Sequence, residues 1–177
     1  MKLFIISDVH GSKHYLDLAI KAFNETKADK LVCLGDFYYH GPRNPLTEQY
    51  NPMEVANVFN KIKNNLVAIK GNCDAEVDQM ISEFTFVDNY SIRIGNKNVY
   101  FHHGHKEIEN INNYDVVFFG HIHTGLINKE GNLIYANPGS ISLPKAEKSR
   151  GYMIIDENGI KHFDLISREL LRKIDFY

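Results

Sequence analysis

Between residues 3 and 69 the chain repeats one unit: a short apolar run, a polar turn, then a segment with apolar residues at helical spacing. Residues 3–6 (LFII) read as a buried strand, and residues 12–27 carry Leu16, Ala19, Ile20 and Phe23 on one helix face, with Ser12 available as N-cap. Residues 31–34 form a second run and 37–51 a polar loop containing proline. Residues 52–63 then put Met53, Val55, Ala56, Phe59 and Ile62 on a helix that opens with Pro52. A third run follows at 66–69. Strands alternating with helices in this way pair in parallel, because a right-handed crossover packs its helix back onto the sheet.

After about residue 84 the pattern becomes strand-rich, with short runs at 86–94, 98–102, 116–119, 126–128, 133–136, 151–156 and 160–166. The pairs Gly95-Asn96, Gly131-Asn132 and Asn158-Gly159 favour tight hairpins. No long linker, low-complexity tract or internal repeat divides the 177 residues, so residues 1–177 read as a single domain, one layered α/β sandwich. A formal charge of -2 removes any general pull toward nucleic acid or an acidic membrane. Two cysteines, Cys33 and Cys73, are too few for a disulfide framework, and the apolar run before Ser7 and Asp8 is too short to span a membrane. The sequence therefore predicts a cytoplasmic protein without membrane association.

The residues that end each run say more. Residues 3–6 are followed by Ser7, Asp8, Val9, His10 and Gly11; 31–34 by Gly35 and Asp36; 66–69 by Lys70, Gly71, Asn72, Cys73 and Asp74. Later, the run 98–101 leads into HHGH (102–105) and the run 116–119 into GHIH (120–123). In open α/β sheets, ligands bind beyond the carboxyl ends of strands, where glycine lets the backbone bend. Taken singly, GD and GNCD are ordinary turn signals with a side chain capping a local amide. GHIH is stronger, since imidazoles two residues apart on an extended segment point the same way. Six of the nine histidines fall in three groups, His10 with His14, His103 with His105, and His121 with His123. Together, Asp8, His10, Asp36, Asn72, His103, His121 and His123 bring two carboxylates, four imidazoles and an amide oxygen to one predicted sheet edge. Burying so many polar groups uncompensated is costly, and a pair of divalent cations meets that need. Mixed nitrogen and oxygen donors suit Mn, Fe, Ni, Co or Zn better than Ca.

The series DVHG, GD, GNCD, HGH and GHIH, in that order, resembles the calcineurin-like metallophosphoesterase superfamily over nearly the whole chain. The stretches HGPRN (40–44), GNCDAEVDQM (71–80) and NPGSISLPK (137–145) are similar to its small YfcE-type phosphodiesterase subgroup. The resemblance implies an α/β/β/α sandwich of two mixed sheets flanked by helices. It also implies two divalent transition-metal ions, Mn foremost with Ni, Co, Fe or Zn as alternatives. One would be held by Asp8, His10, Asp36 and His123, the other by Asp36, Asn72, His103 and His121, with Asp36 bridging. His103 fits the family pattern because it directly precedes Gly104; His102 lies one step back on the strand and points the other way, as a packed or surface residue.

Such a site implies hydrolysis of small phosphodiesters. The paired cations would acidify a shared water into a bridging hydroxide nucleophile and neutralise charge during in-line displacement, with Asp36 and Asn72 in catalytic positions. Asn72 would also touch phosphate, while Arg43, His105 and Cys73 are the further substrate-facing candidates. Arg43 reads more readily as a solvated loop residue, and His105 equally as a residue behind a ligand. Cys73 stands where many members carry a histidine that protonates the leaving oxygen; a thiol with a pKa of about 8.5 suits that role poorly, which favours diesters with stable leaving groups. The NPGSIS run closes the site structurally, and Phe37, Tyr38 and Tyr39 either stack on an aromatic substrate or pack. Two other functions meet the pattern less well: a protein-binding scaffold of the same fold, although every ligand position here holds a competent donor, and a nuclease on polymers, which would want a basic stripe. The expected partner is thus a small phosphodiester, with homo-oligomerisation compatible.

Overall fold

The structure, a computed structural model, describes residues 1–146 and 149–177. Strand β1 (Leu3–Ile6) runs into helix α1 (Lys13–Thr26), β2 (Lys30–Cys33), α2 (Pro52–Lys61) and β3 (Leu66–Ile69). Helix α1 starts where the Ser12 side chain accepts the Tyr15 amide, and α2 where Asn51 accepts the Glu54 amide, with Pro52 in the first turn. In both, the cap satisfies an amide that the helix itself leaves unpaired. The chain continues through β4 (Phe86–Val87), β5 (Asn89–Ile94), β6 (Lys97–His102), β7 (Val116–Phe118), β8 (Gly125–Glu130) and β9 (Leu133–Pro138). It ends with β10 (Gly151–Asp156), β11 (Gly159–Asp164) and β12 (Leu170–Asp175).

These strands form two mixed sheets. The first has the order β12-β11-β10-β1-β2-β3-β4, with β1 to β4 parallel and β10 to β12 antiparallel. The second has the order β5-β6-β7-β9-β8, with β6, β7 and β9 parallel and the outer strands antiparallel. Gly95-Asn96 and Gly131-Asn132 join β5 to β6 and β8 to β9, as their chemistry predicts, while Glu157-Asn158 joins β10 to β11, with Gly159 already the first paired residue of β11. Strand β12 was not foreseen: LLRKID buries no residue fully and lies at a sheet edge, so it lacks the apolar alternation that marks a half-buried strand.

Side-chain alternation in β1 to β3 explains the layering. Phe4, Ile6, Leu31, Cys33 and Ala68 face Leu16, Ala19 and Phe23 of α1 and Val55 and Phe59 of α2. Leu3, Ile5, Val32, Leu34 and Ile69 face Val99, Phe101, Val116, Phe118, Ile134 and Ala136 of the second sheet. Successive strand residues point to opposite faces, so four apolar residues in a row serve two cores at once. Phe101 and Phe118 stack across neighbouring strands with ring centroids 5.2 Å apart. On the other face of the second sheet, among the described residues, the helical element is the short 3-10 turn Ile111–Asn113; Ile108 and Ile111 there lie over Val117, Phe119 and Tyr135 around a cavity of about 400 Å³. Among the described residues no helix is long and apolar enough to cross a membrane.

The parallel directions of β1, β2 and β3 in one sheet and of β6 and β7 in the other send five carboxyl ends to one edge. Their loops are laced together there: Asp8 N–H donates to Gly35 O (3.0 Å), His10 N–H to Asp36 O (2.8 Å), and Gly120 N–H to His103 O (2.9 Å).

Candidate metal centre

All seven metal-ligand candidates sit on these loops, and their backbone is unusual. Asp8 (φ 55°), His10 (47°), Asp36 (58°), His121 (66°) and His123 (59°) adopt the left-handed region. They are five of the nine non-glycine residues with positive φ among those described, so the strain is concentrated at this edge. Such conformations cost about 1–3 kcal/mol each and persist where surrounding structure imposes them, often at functional sites. Two glycines allow the loops to close in. A side chain at Gly71 would run into the Asp36 carboxylate, and one at Gly120 into Ser7 Oγ, with Asp8 Oδ2 3.0 Å away.

Asp8, His10, Asp36 and His123 are buried and offer ligand atoms that all lie within 4.8 Å of one another, a group that could hold a metal ion. His123 Nε2 is 3.2 Å from His10 Nε2 and 3.2 Å from Asp8 Oδ1, and His10 Nε2 is 3.7 Å from Asp8 Oδ1. The buried Asp8 Oδ1 nonetheless lacks an aligned hydrogen bond, so its lone pairs point into the cluster without a donor. The imidazoles are aimed from behind. His10 Nδ1 meets Tyr39 O (2.7 Å), His123 Nδ1 meets Leu143 O (2.8 Å) and His103 Nδ1 meets Leu34 O (2.7 Å). A carbonyl can only accept, so each Nδ1 carries a proton and each Nε2 faces the cluster, where it becomes the ligand atom once any proton of its own is displaced, the arrangement a metal-binding imidazole needs.

The remaining candidates gather on the other side of Asp36. Its Oδ2 lies 3.6 Å from His10 Nε2, while Oδ1 lies 3.4 Å from His103 Nε2 and accepts the Cys73 N–H at 2.9 Å. His103 Nε2 also meets Asn72 Oδ1 at 2.9 Å, and the His121 ring sits 5.2 Å from that of His103. One carboxylate therefore stands between two donor groups. Around His10 and His103 the field favours positive charge, whereas burial followed by the His103 charge lowers His121. Burial pushes the imidazoles down, yet Asp36 and Asp8 outweigh it and raise His103 to about 9, and Asp8 likewise raises His10. Asp8 is held below the usual carboxylate range, the contacts with His10 and His123 overcoming its burial. Unpaired acceptor lone pairs, inward imidazole nitrogens and this field fit divalent-cation binding.

Several supporting residues escape a reading of the sequence. Asp74, within the stretch read as a turn, is buried and accepts from the backbone N–H of Asp36 (2.8 Å), Phe37 (2.7 Å) and Gly71 (2.7 Å), which ties the loop after β2 to the loop after β3. Burial and the neighbouring Asp36 charge push its carboxyl up to about 6. Ser140 and Ser142 hydroxyls both donate to Asp8 O (2.7 and 3.0 Å), and Thr47 Oγ1 donates to His10 O (3.0 Å). Asn137 donates to Gly120 O and accepts from Gly139 N–H, both at 2.8 Å, so the NPGSIS run does brace the site. The signal for these positions is weak, because a hydroxyl or amide near a turn looks the same whether or not it braces anything.

A cavity of about 640 Å³ opens over the cluster, lined by His10, Asp36, Asn72, His121 and His123, with Arg43, Cys73 and Lys145 on its wall. Lys145 ends the NPGSISLPK stretch, and the sequence assigns it no role of its own. Cys73 is half-buried, and burial followed by the Asp36 charge pushes its thiol up to about 12. His105 is exposed beside the site, its ring 5.3 Å from His103 and 6.3 Å from His121, and is not among the cavity-lining residues. His102 faces the other way, into the cavity under Ile108 and Ile111. Phe37 and Tyr38 are buried in the core, and only Tyr39 of the three aromatics is exposed.

Buried carboxylates and inward imidazoles, collected at the joint edge of two mixed sheets, match a known class: the chain belongs to the calcineurin-like phosphoesterase superfamily, whose domain description matches residues 1–159. Within it, the chain is similar to phosphodiesterase YfcE of Escherichia coli, 32% identical over an alignment of 179 residues that spans 98% of this chain and 97% of that one. The solved structure of YfcE, a phosphoesterase from E. coli, matches with a TM-score of 0.92 at 30% identity, covering 100% of both chains. Phosphodiesterase MJ0936 of Methanocaldococcus jannaschii is 26% identical over 151 residues, 78% of this chain and 83% of that one.

Proposed function

We propose that this protein is a metal-dependent phosphodiesterase that hydrolyses small phosphodiesters with two divalent cations, manganese being the native pair, and that residues 1–177 act as one domain. Asp8, His10, Asp36 and His123 would hold one ion, and Asp36, Asn72, His103 and His121 the other. The observation that carries this reading is the Asp36 carboxylate, with one oxygen toward His10 and the other toward His103. When bound, two such cations supply Lewis acidity, lowering the pKa of the water that attacks phosphorus and neutralising phosphate charge.

The chain's own residues do the rest. The Nδ1 contacts to Tyr39, Leu143 and Leu34 keep the three imidazoles in the donor tautomer. Asn72, exposed at the cavity with its Oδ1 toward His103, donates its amide N–H to a non-bridging phosphate oxygen. Arg43 on the cavity wall balances substrate charge, and His105 stands at the margin, where an incoming ester arm passes. Cys73 remains a neutral thiol and contacts the leaving side without protonating it, so esters with stable leaving groups react best.

The test is chelation followed by reloading with Mn, Ni, Co, Mg or Zn, assayed on bis(4-nitrophenyl) phosphate and on 4-nitrophenyl phosphate. Hydrolysis of the diester that disappears on chelation and returns with metal supports the proposal. Turnover indifferent to chelation, or confined to the monoester, overturns it.

A further inference from the structure

The cavity over the candidate metal centre is larger than a phosphodiester group needs. Its volume of about 640 Å³ falls mid-range for sites that enclose small-molecule ligands, roughly 300–1,000 Å³. The candidate ligands form its floor. Beyond them the wall is built by the turn 41–44 after β2 and by Lys145 on the segment after β9. The turn is closed by its own hydrogen bonds, and the Lys145 segment is tied to the His123 loop. The Asn44 side-chain amide donates to His40 O (2.8 Å) and its backbone N–H to Gly41 O (3.4 Å). Lys145 N–H donates to His123 O (3.1 Å), while Leu143 N–H donates to Ser140 Oγ (2.8 Å) and Leu143 O accepts from His123 Nδ1 (2.8 Å).

Arg43 and Lys145 are the cationic side chains on this wall, they come from distant parts of the sequence, and neither meets an acid among the described residues. A guanidinium presents a planar fork of donors and an ammonium a compact charge, a combination suited to an anionic group larger than one oxygen. Pro42 and Ile122 add apolar surface to the same wall. With cations on the floor for the scissile phosphate, two more positive groups on the wall exceed what a singly charged diester needs.

We propose that the outer part of the cavity is a second anion subsite, and that the substrate is a phosphodiester carrying a further anionic group on one ester arm, held by Arg43 and Lys145. This rests on the phosphodiesterase reading above. It narrows the substrate class to diesters with a second phosphate or a carboxylate, and it gives Lys145 a role in specificity.

The test uses the metal-loaded protein and the 4-nitrophenyl ester of thymidine 5′-phosphate, alone, with a 3′-phosphate, and with a 3′-succinate. In each ester, water supplies an oxygen to phosphorus, the P–O bond to the aryl group breaks, 4-nitrophenolate leaves with the bonding pair, and the water protons pass to solvent. The expected result is a kcat/KM about tenfold higher with a 3′-anion, expressed mainly in KM. That ratio falls to about threefold in Arg43→Gln or Lys145→Gln and close to unity in the double variant, and it shrinks as salt is raised. A gain with the phosphate alone or with both anions supports the subsite and says which anion it reads. A ratio near unity in the unsubstituted protein, or one that survives in the double variant, overturns it. Calorimetry supplies an independent readout: thymidine 3′,5′-bisphosphate binds the metal-free protein more tightly than thymidine 5′-monophosphate, and the double variant loses that preference. If no ester is hydrolysed, the phosphodiesterase reading fails, and the binding preference still decides the subsite.

Discussion

At the scale of single residues, Asp36 links the two donor groups and anchors the Cys73 amide. Asp36→Asn keeps the shape and removes the charge, so metal content measured by elemental analysis should fall below two ions per chain. Diester turnover should fall by more than the roughly hundredfold lost when only a group behind a ligand is removed. Metal content and rate unchanged in Asp36→Asn would show that the carboxylate bridges nothing. Cys73 tests the opposite direction. Its thiol, raised to about 12, offers little acid at neutral pH, so Cys73→His should raise turnover of esters with alkyl leaving groups by about tenfold to a hundredfold relative to aryl diesters. A constant ratio between the two ester classes means that residue 73 does not touch the leaving oxygen.

At the scale of elements, the loops after β2 and β3 are joined by one buried carboxylate. Asp74→Ala leaves three backbone N–H groups without an acceptor and should cost about 3 kcal/mol in urea unfolding, while Asp74→Asn, which keeps one carbonyl oxygen, should cost less. Equal midpoints for the two variants would place the effect elsewhere. This residue also marks how far the sequence could be read. The runs of β1, β2 and β3 were legible because a strand buried on both faces needs consecutive apolar residues. The hairpins were legible because Gly95-Asn96 and its two counterparts form tight turns readily. The seven candidate ligands were legible through their places at strand ends and their resemblance to a known motif series. Sheet order in the second half was not, since apolar alternation fixes which face is buried and not which strand lies alongside. Nor were the individual contacts of Asp74, Ser140, Ser142 and Lys145, which bridge distant segments even where the NPGSIS run itself reads as closing the site: Ser140 is 132 positions from the Asp8 carbonyl it holds.

At the scale of the whole molecule, the first sheet shares one of its two cores with the second sheet, and the candidate centre closes only where both meet. Ions that bind this edge in the native state and not in the unfolded chain add stability by mass action, about 2.7 kcal/mol at a hundred times the dissociation constant. Removing them with a chelator should lower Tm by roughly 5–10 °C in a chain of this size. A melting curve indifferent to chelation would mean that the ions lie outside the folded core's edge.

The left-handed backbone at Asp8, His10, Asp36, His121 and His123 carries an implication for how the molecule changes over generations. Glycine adopts that geometry without penalty, so His121→Gly, at a half-buried position, should lose activity and yet raise unfolding stability by about 1 kcal/mol. Catalysis and durability pull against each other at these five places. A lineage released from selection for hydrolysis would therefore be expected to drift toward glycine at these places first.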